Sequence, residues 1–416
     1  MRVLYINSVC KSGSTGKIAY ALYTAVNENG GEAAVCYGRG ADVDEKNIFK
    51  FGLRWETALH AALTRVTGLT GCFSFFSTRR LLRFMDEFKP DIVHLHEPHA
   101  YFVDLKPLFE YFTAHSIPLV YTFHCEFAYT GKCGFANGCT RWQTGCGHCP
   151  ALREYPKTLF FDFTAQMWRE KCALLLGQNM VVCTPSEWLA ARVRQSFLSG
   201  FDVRVVRNGI DTALFRPRPY AHLRERHGLT DERVVLAVAP YIMEARKGGR
   251  DVLRLAESMK DDNVRFILIG VDDLNESFPD NVIALGRTEN QQELAEYYSM
   301  ADVFVICSAM ENFPTTCLEA LCCGTPVAGF ASGGTAETAP AHLGRFCAPG
   351  DIGALRDNVR ALLAAPPAAQ EFDAARERYS MGRMYAEYDK IYRALLEKKQ
   401  RGLTHRLTAV YGKQPR

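Results

Sequence analysis

No apolar run in the 416 residues reaches the ~18 needed to cross a membrane as a helix. Nor is there an excess of charge of one sign. Forty-nine Lys and Arg balance 46 Asp and Glu, and a net +3 is too small to mark a nucleic-acid binder. Solenoid-type repeats and low-complexity tracts are missing, which excludes stacked-repeat architectures. The chain enters a β-type run at once, Arg2-Val-Leu-Tyr-Ile-Asn7, without a signal-peptide pattern, and this reads as cytoplasmic. Cysteine is plentiful at 15, but the total is odd and most stand singly in apolar segments, which argues against a disulfide framework. What is present is ordinary globular material, 48% hydrophobic and 23% charged. At about 150 residues per domain, the length suggests two or three domains.

Short β-rich runs alternate with amphipathic stretches. In the first half Val3–Ile6, Ala33–Tyr37, Ile92–Leu95, Leu119–Phe123 and Met180–Thr184 read as strands. Helical patterns lie between them over Gly16–Asn29, Thr78–Phe88, Val103–His115 and Thr158–Gly177. The second half repeats the scheme, with strands expected at Val234–Ala239, Phe266–Gly270, Val282–Gly286, Val303–Cys307 and Val327–Phe330 and helices at Asp251–Met259 and Gln291–Met300. The fold class is α/β, two Rossmann-like domains with parallel sheets facing a central cleft. The turn Asn208-Gly209 and the linker Arg216-Pro-Arg-Pro219 place the divide near residue 207, giving domains 1–206 and 207–372, followed by a C-terminal segment 373–416. The cysteine-rich stretch 125–155 is an insertion in the first domain.

One segment carries the strongest chemical signal. Strand Val303–Cys307 turns through Asn312 and Pro314 into a helix, Thr315 to Cys323, that stops at Gly324-Thr-Pro326. The free N–H groups and positive dipole end of such a helix suit a phosphate. Glu311 precedes the turn, and Glu319 follows eight positions on. A carboxylate can accept two hydrogen bonds from a vicinal diol, the group that sugars and ribose carry. The segment thus suits a nucleotide-sugar, although Thr316 and Glu319 also fit a plain capping box.

Glu311-x7-Glu319 followed by Ala320-x3-Gly324-Thr-Pro-Val327 resembles the donor site of retaining glycosyltransferases of family 4, which have the GT-B fold. Asn208 to Phe215 resembles that family's Asn-Gly-Ile-Asp-x3-Phe segment. The resemblance implies that Glu311 meets the donor sugar and Glu319 the ribose. Asn312, Phe313, Pro314, Thr315 and Thr316 would supply the phosphate-facing turn. Lys247, with Arg246 beside it, would neutralise the diphosphate, since Pro240 stands where the family has its arginine. Arg287 would neighbour the base. Gly13 and Gly16, in Ser12-Gly-Ser-Thr-Gly-Lys17, would let backbone approach the phosphates; the glycine spacing is too short for a P-loop. The terminal helix, with Tyr385, Tyr388, Ile391, Tyr392 and Leu395 at helical spacing, would return to the first domain.

In the first domain, His94 and His96 share a strand face and, with His124 and Glu126, are the candidate acceptor-binding residues. His124 stands where the family places a histidine near the reacting centre, although Cys125 replaces the aspartate that usually follows. His124, Lys247 and Glu311 are the expected catalytic residues. Cys133, Cys139, Cys146 and Cys149 lie within 17 residues among glycines, a density that suits structural zinc, with His148 an alternative ligand and free thiols or disulfides remaining open. The same cysteines resemble a colanic-acid and exopolysaccharide subgroup of the family. Asp42-Val-Asp44 lies in an early loop and reads as surface charge.

The expectation is a hexose transferred from a UDP- or GDP-sugar to a saccharide or polyprenyl-linked saccharide, without a catalytic divalent metal and without nucleic acid. Basic residues 398–406 read as a solvated end, with peripheral membrane contact the alternative. An epimerase or phosphorylase of the same fold, or a zinc-stabilised scaffold with a degenerate site, are the alternatives.

Overall fold

The structure, a computed structural model, describes residues 1–411, with 402–411 given as helical backbone alone. The basic stretch 398–406, read as a solvated end or a membrane contact, therefore lies partly outside the described side chains. The first part of the chain runs β1 (Arg2–Asn7), α1 (Gly13–Glu28), β2 (Glu32–Tyr37), β3 (Ile48–Lys50), α2 (Arg54–Thr67), α3 (Phe75–Phe88), β4 (Ile92–Leu95), α4 (Leu105–Ala114), β5 (Leu119–Thr122), α5 (Thr164–Leu176), β6 (Met180–Thr184), α6 (Glu187–Arg194) and β7 (Asp202–Val205). It continues through α7 (Ala221–Arg226), β8 (Arg233–Val238), α8 (Gly249–Glu257), β9 (Val264–Ile269), β10 (Val282–Leu285), α9 (Gln291–Met300), β11 (Val303–Ile306), α10 (Thr315–Cys322), β12 (Val327–Phe330), β13 (Gly344–Cys347), α11 (Ile352–Ala364), α12 (Asp373–Arg378) and α13 (Met381–Tyr411).

Two parallel sheets result. One has the order β3-β2-β1-β4-β5-β6-β7, the other β10-β9-β8-β11-β12-β13. Both are doubly wound, with the order reversing beside their first strands, β1 and β8. The chain divides into two compact units. One comprises Met1–Pro185, Leu189–Val206 and the chain from Tyr385; the other comprises Ser186–Trp188 and Arg207–Met384. These are two Rossmann-like domains of the GT-B fold class.

Strand burial explains the near-continuous apolar runs. Helices cover both faces of the second sheet, so alternate residues of β8 enter different cores. Val234 and Leu236 pack in a cluster with Tyr298 and Leu321, whereas Val235 and Ala237 pack with Leu255 and Val359. The elements absent from the sequence expectation are mostly short or at edges. Strand β3 has three residues, and β7 alternates exposed and half-buried positions. Helix α5 starts at Thr164 rather than 158, because the Asp162 carboxylate accepts from the Thr164 N–H at 3.0 Å and fixes a turn there.

Helix α13 serves both units. Its residues from Tyr385 belong to the first, where Tyr388 and Tyr392 are buried against the sheet. The Tyr392 hydroxyl lies 2.7 Å from His94 Nδ1 and 3.2 Å from the Tyr5 hydroxyl, and Tyr388 lies 2.8 Å from the Thr122 hydroxyl. Burial raises the hydroxyl pKa values of Tyr388 and Tyr392, so both stay protonated. Removing the Tyr392 hydroxyl strands buried polar partners. Tyr392→Phe should destabilise the protein by about 1–3 kcal/mol, and Tyr392→Ala by about 3–5 kcal/mol, read from the midpoint of denaturant unfolding.

Candidate functional site

The second unit gathers its candidate residues at the carboxyl ends of β8, β11 and β12. The turn after β8, a short 3-10 stretch Ala245–Lys247, leads into Gly248 at φ 74. A Cβ at Gly248 would stand 2.0 Å from the Cys307 carbonyl oxygen, so this turn can lie against the end of β11 only with glycine there. The Ala309 N–H donates to the Arg246 carbonyl at 2.9 Å and locks the two loops together. From the end of β12, the Ser332 hydroxyl donates to the Ser308 carbonyl at 2.6 Å and the Gly334 N–H to the Glu311 carbonyl at 2.9 Å.

Within this frame Lys247 Nζ donates to Glu311 Oε1 at 2.7 Å, and both side chains are about 15% exposed. Arg246 Nη1 lies 3.9 Å from the same oxygen. An adjacent arginine and lysine thus meet a glutamate 64 residues on at one point. Pro314 occupies the cap position of α10 with no side-chain hydrogen bond to the helix, so the cap residue itself does not cover the first-turn N–H groups of Thr315 and Thr316. Asn312 and Phe313 are buried in the loop, whose Phe313 carbonyl accepts from Asn208 Nδ2 at 3.3 Å. Asn208 therefore braces the donor-type loop. Gly209 lies too close to Met381 and Ser380 for a side chain, and Asp211 accepts from the Ala213 and Leu214 N–H groups.

Glu319 is 8% exposed, and its Oε2 accepts from the Tyr298 hydroxyl at 3.0 Å. The capping-box alternative for Thr316 and Glu319 is not what forms, since the cap residue is Pro314. Burial and then the charge of Glu319 raise the Tyr298 pKa well above its ordinary value, so Tyr298 remains a donor. Exposed Arg287 at the end of β10 lies over the Tyr241 ring, 4.4 Å from its centroid, and Tyr241 has φ 56. Tyr241 and Tyr298 were not singled out from the sequence. Tyr241 stands three residues past the end of β8, in the loop after the strand, a position at which an aromatic is legible. Tyr298 sits among other apolar residues of α9, and only packing distinguishes it.

In the first unit β4 and β5 end side by side. The rings of His94 and His96 stack at 4.2 Å, as their shared face implies, and His96 Nδ1 lies 3.0 Å from His124 Nε2. Burial lowers the pKa of all three, so they are neutral near pH 7. His94 corrects its expected acceptor role. It is fully buried, with Nδ1 engaged by Tyr392 and Nε2 by Thr122 at 2.8 Å, and so is a core histidine. His96 Nε2 is also buried and lacks a hydrogen-bond partner. Glu126 is a second correction. Wholly buried, it accepts from Tyr129, Arg192 and the Ala136 N–H, and thereby ties the cysteine-rich insertion to α6.

The carboxylate beside His124 is instead Glu97, unnoticed in the sequence because it lies 27 residues away. It accepts from the His124 N–H at 3.0 Å and the Cys125 thiol at 3.2 Å, and His99 Nδ1 lies 2.9 Å from it. Burial raises the Glu97 pKa, but His99 and the other donors outweigh this and hold it below the ordinary carboxylate value. Among the described residues, Glu97, His99 and Cys125 form the group of three metal-type ligands whose donor atoms lie within 4.8 Å of one another.

Cys133, Cys139, Cys146 and Cys149 do not converge that tightly, but all four line one cavity of about 20 Å³, with Lys132 and Trp142, and none forms a disulfide. That volume suits one water-sized occupant. The Gly131 N–H donates to Cys146 Sγ at 3.2 Å, whereas His148 is exposed and does not line the cavity. Two buried lysines pin this insertion. Lys132 Nζ donates to the carbonyls of Leu152, Glu154 and Pro156, and Lys171 Nζ to those of Phe127 and Thr130. Gly13 and Gly16 open α1 in the first unit. Gly13 has φ 63, and a Cβ on Gly16 would crowd Val9 at 3.0 Å. Asp42 and Asp44 are exposed, as expected.

Comparison with known proteins agrees with this architecture. The family described as glycosyltransferase family 4 matches residues 15–214, and that described as glycosyl transferases group 1 matches 221–378. The putative colanic acid biosynthesis glycosyl transferase WcaC of Escherichia coli (strain K12) is 24% identical over 95% of this chain and 100% of its own length. Among solved structures, sucrose-phosphate synthase from Thermosynechococcus elongatus superposes with a TM-score of 0.70 at 20% identity, covering 95% of this chain and 99% of the other. Anabaena Alr3699/HepE in complex with UDP-glucose gives 0.66 at 15% identity, over 95% and 100%. Two family matches in tandem, a full-length relative and the loop geometry agree: the chain has the GT-B fold and is related to the glycosyl transferases of group 1 and family 4.

Proposed function

We propose that this protein is a retaining glycosyltransferase that moves a hexose from a nucleotide-sugar to a saccharide or lipid-linked saccharide in polysaccharide biosynthesis. The observation that carries the reading is the 2.7 Å contact of Lys247 with Glu311 beside the uncapped start of α10. A diphosphate seated there would exchange part of the Lys247–Glu311 pairing for its own charge, with Arg246 and the Thr315 and Thr316 N–H groups completing its neutralisation. These groups supply the positive charge that a divalent ion supplies in other transferases. Glu311 would then turn to the sugar hydroxyls. Glu319, steadied by Tyr298, would take the ribose diol, and the Tyr241–Arg287 pair would offer a face for the base.

In the reaction the acceptor hydroxyl oxygen bonds to the anomeric carbon as the bond from that carbon to the phosphate oxygen breaks. The electron pair leaves with the diphosphate, and the acceptor proton passes to the departing phosphate on the same face. His124 and His96, neutral and hydrogen-bonded to each other, are the acceptor-side residues. HepE, bound to UDP-glucose in its crystal structure, makes UDP-sugars the first donors to try. The four cysteines of the insertion would hold a structural zinc, which would clamp its turns.

The test is incubation of purified protein with radiolabelled UDP- and GDP-hexoses and candidate acceptors, with NMR of the product anomer. Transfer with retained configuration supports the reading, whereas an epimerised donor or no turnover with any donor overturns it. Lys247→Ala should lower kcat/KM by about 10²-fold or more, as removal of one transition-state cation or donor does elsewhere. Glu319→Gln, which keeps an acceptor for Tyr298, should weaken nucleotide binding roughly tenfold in calorimetry while leaving the melting temperature nearly unchanged. Elemental analysis should find about one zinc per chain, lost together with thermal stability in Cys146→Ser.

A further inference from the structure

Helix α2 is inside out. Its buried residues are Glu56, His60 and Thr64, all polar, whereas Trp55, Leu59 and Val66 are 55%, 48% and 48% exposed. The inward face is not a packing failure. The Glu56 carboxylate accepts from the Phe76 and Ser77 N–H groups at 2.8 and 2.7 Å and so caps α3. His60 Nε2 accepts from the Gly71 N–H at 3.0 Å, so Nδ1 carries the proton and donates to the Ser74 hydroxyl at 2.7 Å. With its polar side committed inward, the helix turns an apolar stripe, roughly 16 Å long at 1.5 Å per residue, toward solvent.

The stripe is part of a larger face. At one end the Trp55 ring lies 5.8 Å from Phe76, which meets Phe75 at 5.3 Å; these phenylalanines are 54% and 60% exposed. At the other end the Leu159 N–H donates to the Arg65 carbonyl at 2.8 Å, which brings in the loop bearing Phe160 and Phe161, also exposed. Monomeric proteins rarely leave so many large aromatics together in water. The exposed charges of α2, the first turn of α3 and residues 153–163 are five cations, Arg54, Arg65, Arg79, Arg153 and Lys157, and two acids, Glu154 and Asp162. Asp162 is turned to the Cys149 N–H and the Thr164 hydroxyl.

We infer that this face of the first unit, built on α2, the start of α3 and the Leu159–Phe163 loop, docks on an anionic lipid bilayer. Tryptophan and phenylalanine rings suit the headgroup and acyl boundary, and the flanking cations meet lipid phosphates. A second copy of the chain is the less favoured occupant, because a two-fold contact would set the same basic face against itself. The described residues contain no helix long and apolar enough to cross a membrane.

The test is co-sedimentation of the full chain with vesicles of phosphatidylcholine containing phosphatidylglycerol, and with phosphatidylcholine alone. Binding should require the anionic lipid, weaken as salt rises, and fall roughly tenfold or more in Trp55→Ser/Phe76→Ser, since each tenfold is about 1.4 kcal/mol of lost apolar transfer. Arg65→Glu, at an exposed position that leaves the fold unaltered, should also reduce it. No binding to the anionic vesicles, or equal binding by the variants, overturns the inference. So does a dimer, seen by analytical ultracentrifugation, that the same substitutions dissociate.

Discussion

The second unit depends on how closely three loops approach one another at one edge of a parallel sheet. Parallel strands deliver all their carboxyl ends to the same side, but delivery alone does not make a site. Gly248 lets the β8 loop touch the Cys307 carbonyl, and Gly333, at φ 61, stands where a Cβ would strike the Glu311 carbonyl at 2.0 Å. Backbone hydrogen bonds from Ala309 and Gly334 then fix the stack. Only because the main chains meet at this distance can a lysine from one loop and a glutamate from another share a hydrogen bond within a mostly buried site. A bulkier residue at either glycine would force the loops apart and break that pairing.

Much of this was legible in the sequence, for a physical reason. Fully buried parallel strands must be apolar along their length, so Ile92–Leu95, Met180–Thr184 and Val327–Phe330 stood out at their true bounds. The donor-type segment was readable because its chemistry is local: strand, carboxylate, turn and helix follow one another within about 20 residues. Edge elements such as β3, β7 and β13 were not, since half-exposed short strands carry little apolar signal.

Roles set by long-range contacts could not be read either. Glu126, two positions from His124, was expected beside it on the acceptor side, yet the fold sends it to Arg192 and brings Glu97 in from the neighbouring strand end. His94 and His96 differ by two positions and look equivalent as a pattern. Tyr392, nearly 300 residues away, claims the first of them for the core. Helix α2 was not read from the sequence, and its amphipathic spacing could not have shown which way it faces, because no periodicity distinguishes an inward stripe from an outward one.

The return of α13 to the first unit has a consequence for biosynthesis. Chains usually fold their amino-terminal domain first as they leave the ribosome. Here residues 207–384 are a complete unit before the first one is, because His94, Thr122 and Tyr5 wait for hydroxyls carried by Tyr388 and Tyr392. The amino-terminal sheet is the earliest part to be made and the last to be closed, and in the interval its buried polar side chains stand open to whatever surrounds the nascent chain.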